Sequence, residues 1–347
     1  MSAIDRRYDI DWLRVIAIGL LLVYHASITV QSWGFFLGFI TNSTPWDSLW
    51  FPMAMLNVWR IPLLFFISGM GVYFAIQNKN WKQLLQERAK RILVPFIFGI
   101  LLIVPIQVFI SRWYYHQGES YSPDPAHLWF LGNIFIYVLL LLPLFLYLKR
   151  NERFIARLRA VLGSPFCLLI VVACFIIEAL ILDPAVYELY AMTGHGFFLG
   201  LLAFFFGFCF ILGGAPFWKM LLRWRWLFLT IAVALYVYRL LQVQMRVPNI
   251  QLVIESNAWI FSILAFGHRY LNHPGPALRY LSQAAYPVYI IHMICLNLTS
   301  ALIFPLDMDV RLKFALILLF TIALCFIVYE FAIRRASFVR VFFGLKA

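Results

Sequence analysis

Few residues of this chain can do chemistry, because most of it is apolar. The segment YDIDWLRVIAIGLLLVYHASI places Arg14 and His25 eleven residues apart. At about 100° per residue this is three helical turns plus roughly 20°, so a helix presents both on one face, about 16 Å apart along its axis. That face offers a cation near one end and a titratable imidazole deeper in. Histidine is the usual general base near neutral pH. The plain alternative is a satisfied core histidine and an arginine snorkelling to headgroups.

Other polar side chains interrupt apolar runs, where a charge must face the protein interior or a cavity. Arg60 lies inside NVWRIPLLFFISGMGVYFAI, with Pro62 able to kink the helix and Ser68, Gly69 and Gly71 permitting close helix or ligand approach. The stretch QERAKRILVPF, taken as a loop entering the next span, carries Arg88, Lys90 and Arg91, cations suited to phosphate groups. Glu178, Glu255, His292 and Glu330 also sit in apolar surroundings. Glu255 and His292 are the better pocket candidates, and Glu330 can pair with Arg334 four residues on. His127 opens HLWFLGN. His116, Glu119, Asp124 and His127 match no known metal-ligand spacing, and no metal is expected. Walker, dinucleotide-binding and H-E-x-x-H patterns are missing from the sequence. Cys167, Cys174, Cys209, Cys295 and Cys325 all lie in apolar runs without a C-x-x-C pair, which argues against a disulfide framework or zinc site.

The elements that position these residues must be membrane helices. The chain of 347 residues is 64% hydrophobic and 12% charged, against about 45–50% and 25% in soluble domains. The apolar blocks are continuous and do not alternate, which favours helices over barrel strands. They predict an all-α polytopic transmembrane bundle of about ten helices, near 11–32, 51–76, 92–111, 127–147, 165–183, 195–213, 225–242, 250–267, 283–304 and 313–333. The first is too long, and lacks the small-residue site, for a cleaved signal peptide. Lysine and arginine cluster in alternate loops: Arg6 and Arg7; Lys79 to Arg91; Lys149 to Arg159; Lys219 to Arg225; Arg269 and Arg279; Arg334 to Lys346. The intervening loops hold Arg112, Arg246, Arg311 and Lys313. The positive-inside rule then places both termini in the cytoplasm and explains the net charge of +13 without nucleic acid. One transmembrane domain over residues 1–347 is expected, with no soluble catalytic module.

In order along the chain, these clusters resemble the acyltransferase 3 family of integral membrane acyltransferases. Arg14 and His25 resemble its opening arginine–histidine pair, FFISG (Phe65 to Gly69) its second-helix motif, RAKR (Arg88 to Arg91) its R-x-x-R element, and YPVYIIH (Tyr286 to His292) a late Y-x-x-Y-x-x-H motif. The likeness runs from Tyr8 to about Arg335. HLWFL (His127 to Leu131) and YEFAIRR resemble the branch of periplasmic-glucan succinyltransferases, and no SGNH-hydrolase domain is expected. The resemblance implies a multi-pass protein of the bacterial inner membrane that takes an acetyl or succinyl group from cytoplasmic acyl-CoA. The acceptor would be a hydroxyl of an extracytoplasmic glycan. His25 would be the general base and Arg14 would hold the donor or orient the site. Arg88, Lys90 and Arg91, with Ser68 and Gly69, would bind the donor. Beside what the resemblance implies, Arg60, Glu255, His127 and His292 are candidates for the substrate pocket. Acyl-CoA, the glycan and the bilayer are the implied partners, and a homo-oligomer is compatible with this picture.

Two other readings compete. Intramembrane charges also suit a secondary transporter or exporter with a proton relay, but such a protein does not need the Arg14/His25 pair together with Arg88/Arg91. A non-catalytic partner in glycan export is the third reading, and the intact His25 opposes it.

Overall fold

The computed structural model describes residues 6–77, 79–118 and 120–345. Two residues of the sequence argument, Glu119 and Lys346, lie outside them. Among the described residues the chain is helical without strands. The long helices are α1 (Tyr8–Ile28), α2 (Trp50–Gln77), α3 (Trp81–Tyr114), α4 (Trp129–Arg150), α5 (Glu152–Leu162), α6 (Phe166–Leu182), α7 (Gly194–Leu212), α8 (Gly214–Leu240), α9 (Asn249–Tyr270), α10 (Pro276–Ile303) and α11 (Val310–Ile333). Among the described residues nine are long and apolar enough to cross a bilayer, and α5 with α6, which meet at a 91° bend, make a tenth if counted as one span. The protein is a multi-pass membrane protein, and each of the ten expected spans falls on a helix.

Two expectations need correction. Arg88, Lys90 and Arg91 are not in a loop: α3 begins at Trp81 and carries them. The run WKQLLQERAKR is rich in strong helix formers, so the helix extends past its apolar part. The segment before the fifth span is likewise not a plain loop but the basic helix α5. It stops at Gly163-Ser164-Pro165, where proline cannot continue the helical hydrogen-bond ladder and instead caps α6.

Local signals set several helix ends. Asp9 and Asp11 occupy the first turn of α1, where the helix dipole favours negative charge. Thr193 caps α7 by accepting from the Gly196 N–H at 2.9 Å. Asp309 caps α11 by accepting from the Arg311 N–H at 2.8 Å.

The helices gather into two compact units. The first comprises residues 6–17, 57–85 and 133–278. In it α2 and α7 approach backbone to backbone: a Cβ on Gly69 would collide with the Phe204 carbonyl, and one on Gly207 with that of Phe66. This small-residue contact is how membrane helices gain packing where lipid offers no hydrophobic drive. Phe145 and Phe208 stack beside it at 3.8 Å between centroids. The second unit comprises residues 18–56, 86–132 and 279–345. Its core joins the end of α1 (Ala26, Ile28) and the following loop (Phe39, Ile40) to α10 (Met293, Leu296) and α11 (Ile317).

Candidate active site

The second unit brings three histidines together. His25 comes from α1, His292 from the middle of α10, and His127 from a tight turn, Ala126–Leu128, that opens α4. That turn is held locally. Ala126 has φ of +39°, unusual for a residue with a Cβ, and its N–H donates to Asp124 Oδ1 at 2.6 Å. The following backbone is fixed by close contacts of α3 with α4, where a Cβ on Gly99 would strike Leu128 and one on Gly132 would press on Phe96. Tyr289 ties α10 to the same turn by donating its hydroxyl proton to the His127 carbonyl.

The hydrogen bonds fix which nitrogens carry protons. His292 Nδ1 lies 2.6 Å from the Tyr289 carbonyl, which can only accept, so Nδ1 bears the hydrogen. In the neutral ring the lone pair is then on Nε2, which lies 2.8 Å from His25 Nδ1. His25 therefore donates from Nδ1 and carries its own lone pair on Nε2. The two rings are nearly parallel, 8° apart in plane with centroids 5.0 Å apart. His292 is fully buried and His25 half-buried, so the orienting ring is shielded while the basic ring is reachable. His127 stands at right angles to His292, with centroids 5.0 Å apart. Its Nε2 donates to the Ile290 carbonyl at 3.1 Å, and its Nδ1 is a buried acceptor without a hydrogen-bond partner among the described residues. The cluster thus presents two imidazole lone pairs, one oriented by a second imidazole. This is the arrangement of a base held in one tautomer, the logic of hydrolase triads with histidine in place of the carboxylate.

In the same unit the basic turn of α3 holds Arg88 half-buried, Lys90 exposed and Arg91 half-buried. Arg91 already pairs with Glu87, N to O 3.2 Å. The turn Ala89–Leu93 is wound as a π-helix just before Pro95, which cannot donate to the Arg91 carbonyl. Gly344, at φ +66°, packs where a Cβ would meet both the Arg91 carbonyl and the Tyr286 ring. The R-x-x-R turn and the Y-x-x-Y-x-x-H helix thus meet at one residue.

The first unit holds the remaining expected residues, and gives most of them local partners. Arg14, with its side chain 38% exposed, pairs with Asp11 at 3.4 Å. Ser68 donates to the Leu64 carbonyl one turn back at 2.8 Å, and Gly69 serves the α2–α7 contact described above. Arg60 is fully buried in α2. Glu255 is fully buried and accepts from Arg239 Nη2 at 2.8 Å, while Arg239 Nη1 donates to Glu188 at the same distance. Arg239 was not among the expected residues, although a cation at the end of the seventh span was a readable signal. Nearby, His195 bridges the Glu178 carboxylate at 2.9 Å and the Tyr187 carbonyl at 3.0 Å. Burial there pushes the Tyr187 hydroxyl well above its ordinary range. A third buried knot, Asp9 with Arg7 and His268, anchors the start of α1. In the second unit, as expected, Glu330 pairs with Arg334, at 2.8 Å.

Nine or ten apolar spans make this a multi-pass membrane protein, its second unit joins three histidines, and comparison gives the class. The acyltransferase 3 family, described as an acyltransferase domain, matches residues 7–330. The chain belongs to that family and is an O-acyltransferase. Among curated relatives it is similar to glucans biosynthesis protein C of Salmonella heidelberg (strain SL476), 24% identical over 95% of this chain and 92% of the relative. It is equally similar to the protein of that name from Escherichia coli (strain SMS-3-5 / SECEC), 24% identical over the same shares. No solved structure matches.

Proposed function

We propose that the protein moves an acetyl or succinyl group from cytoplasmic acyl-CoA to a hydroxyl of an extracytoplasmic glycan, in the bacterial inner membrane, with residues 1–347 acting as one transmembrane domain. The observation that carries this reading is the hydrogen-bond chain from the Tyr289 carbonyl through His292 to His25, which leaves the lone pair on His25 Nε2. The names of the glucan biosynthesis relatives support the acceptor class, and the family match across both units supports a single domain.

His25 Nε2 removes the proton from the acceptor hydroxyl as its oxygen bonds to the thioester carbonyl carbon. It then gives that proton to sulfur as the C–S bond breaks, so ester and free thiol leave and the base is restored. His292 holds His25 in the basic tautomer and shares the charge while the proton is on the ring. Donor phosphates fit the Arg88, Lys90 and Arg91 turn, where guanidinium groups pair with phosphate oxygens. Arg14, Ser68 and Gly69 are proposed to help seat the donor, and Arg60, Glu255 and His127 to shape the substrate path.

The test is to express wild type and His25→Ala at matched membrane levels and to compare envelope and periplasmic glycans by mass spectrometry. The expected result is an acyl-sized mass increment in wild type that His25→Ala loses. Equal acylation in the two strains would remove His25 as the base.

A further inference from the structure

The segment that follows α1, SITVQSWGFFLGFITNSTPWDSLW, is dense in aromatic rings and is folded back on itself in the second unit. The Asn42 N–H donates to the Thr29 carbonyl at 2.9 Å, the Trp46 N–H to that of Val30 at 2.8 Å, and Gln31 Nε2 to that of Trp46 at 3.0 Å. Gly34 presses against the Ile28 carbonyl so closely that a Cβ would collide with it. The rings therefore ride on a tied backbone, and they sort into two sets. Phe36, 84% exposed, is turned outward. Trp33 and Trp50 are half-buried and pack edge to face, with centroids 4.8 Å apart and planes at 83°. Tyr24 continues the row, 6.0 Å from Trp50 and 5.8 Å from His25. The Trp46 indole N–H is spent on Ser48 at 2.9 Å, whereas those of Trp33 and Trp50 donate to no acceptor among the described residues.

We infer that Tyr24, Trp33 and Trp50 form the acceptor subsite, a platform that seats a pyranose ring with one hydroxyl toward His25 Nε2. This rests on the glycan reading above and names the residues that select the acceptor. A pyranose carries a face of C–H groups and a rim of hydroxyls. Tryptophan and tyrosine match that mixture, offering a broad apolar face and one polar edge at little cost in side-chain entropy. Aromatic residues also mark membrane interfaces in general, but a belt is turned outward, as Phe36 is. A row of rings that packs inward and ends at the base serves a ligand.

The test uses the full-length protein in lipid nanodiscs with a panel of linear gluco-oligosaccharides. Affinity is measured by calorimetry without donor, and KM for oligosaccharide and for acyl-CoA with it. Trp33→Leu and Trp50→Leu are each expected to raise the oligosaccharide Kd and KM about tenfold, the loss of one ring contact, while KM for acyl-CoA holds. Trp33→Phe, which keeps a ring face and loses the N–H, is expected to fall between, and it guards against a variant that does not fold. Unchanged oligosaccharide affinity in folded variants overturns the platform, as does a wild type that binds no member of the panel. A wild type that binds the sugar with these ring dependences but acylates none of the panel retains the platform and removes the reading of that glycan as the acyl acceptor.

Discussion

His292 is the residue whose role follows most directly from geometry. It touches no reacting atom in the proposed chemistry; it sets the proton on His25. Removing it frees the His25 ring to take the other tautomer, with Nε2 protonated and useless as a base. His292→Ala is expected to lower kcat by about 10²–10⁴, the range for losing a positioned base or its tautomer, with KM for both substrates little changed. His292→Gln, whose amide oxygen can accept from His25 Nδ1, is expected to recover part of the loss. A steady-state comparison of the three proteins checks this, and a parallel rise in either KM would make His292 a substrate contact instead. The lone imidazole of His25 was visible in the sequence, and His292 and His127 were visible as polar residues in apolar runs. Their convergence was not, because helix order does not reveal helix neighbours. The tautomer was less visible still, since it depends on the backbone carbonyls of Tyr289 and Ile290, which carry no signal in residue type. Trp33 and Trp50 were not among the expected residues.

Elements were more legible than sites. Every expected span is a helix because a run of apolar residues in lipid has no other way to satisfy its backbone. What the pattern could not show was where a helix continues past its apolar part, as α3 does through Arg88 and Arg91, or bends, as between α5 and α6. Nor could it tell why FFISG carries a glycine. The structure gives Gly69 a packing partner in Phe204, and Gly207 the mirror partner in Phe66. Both contacts are with backbone, which cannot swing aside. Gly69→Ala and Gly207→Ala are therefore each expected to destabilise the protein by about 1–3 kcal/mol, the usual cost of overpacking, read as a lower melting temperature in detergent. If Gly69→Ala keeps its melting temperature but loses acyl-CoA affinity, the motif glycine serves ligand approach and not helix contact.

At the scale of the whole molecule the count of spans decides where everything lies, and the count turns on α6. That helix has 17 residues, about 26 Å at 1.5 Å per residue, slightly short of a hydrocarbon core of about 30 Å. Helix α5, which precedes it at the 91° bend, carries Arg153, Arg157 and Arg159 on a short amphipathic segment, a composition that lies along an interface and does not cross it. If α6 crosses, the spans number ten. Both termini then share one side, and Lys219, Arg223, Arg225, Arg269, Arg279 and Arg334 join Lys79 to Arg91 there, as the positive-inside rule requires. If α6 does not cross, the count is nine and every basic cluster after Gly194 moves to the opposite face. The ten-span arrangement predicts that green fluorescent protein fused at either terminus fluoresces in bacteria, and that alkaline phosphatase inserted at residues 184–193 is active while one at residues 271–275 is not. Activity at 271–275 with a dark C-terminal fusion would mean that α6 turns back, which puts every basic cluster after Gly194 on the opposite face and overturns the ten-span arrangement.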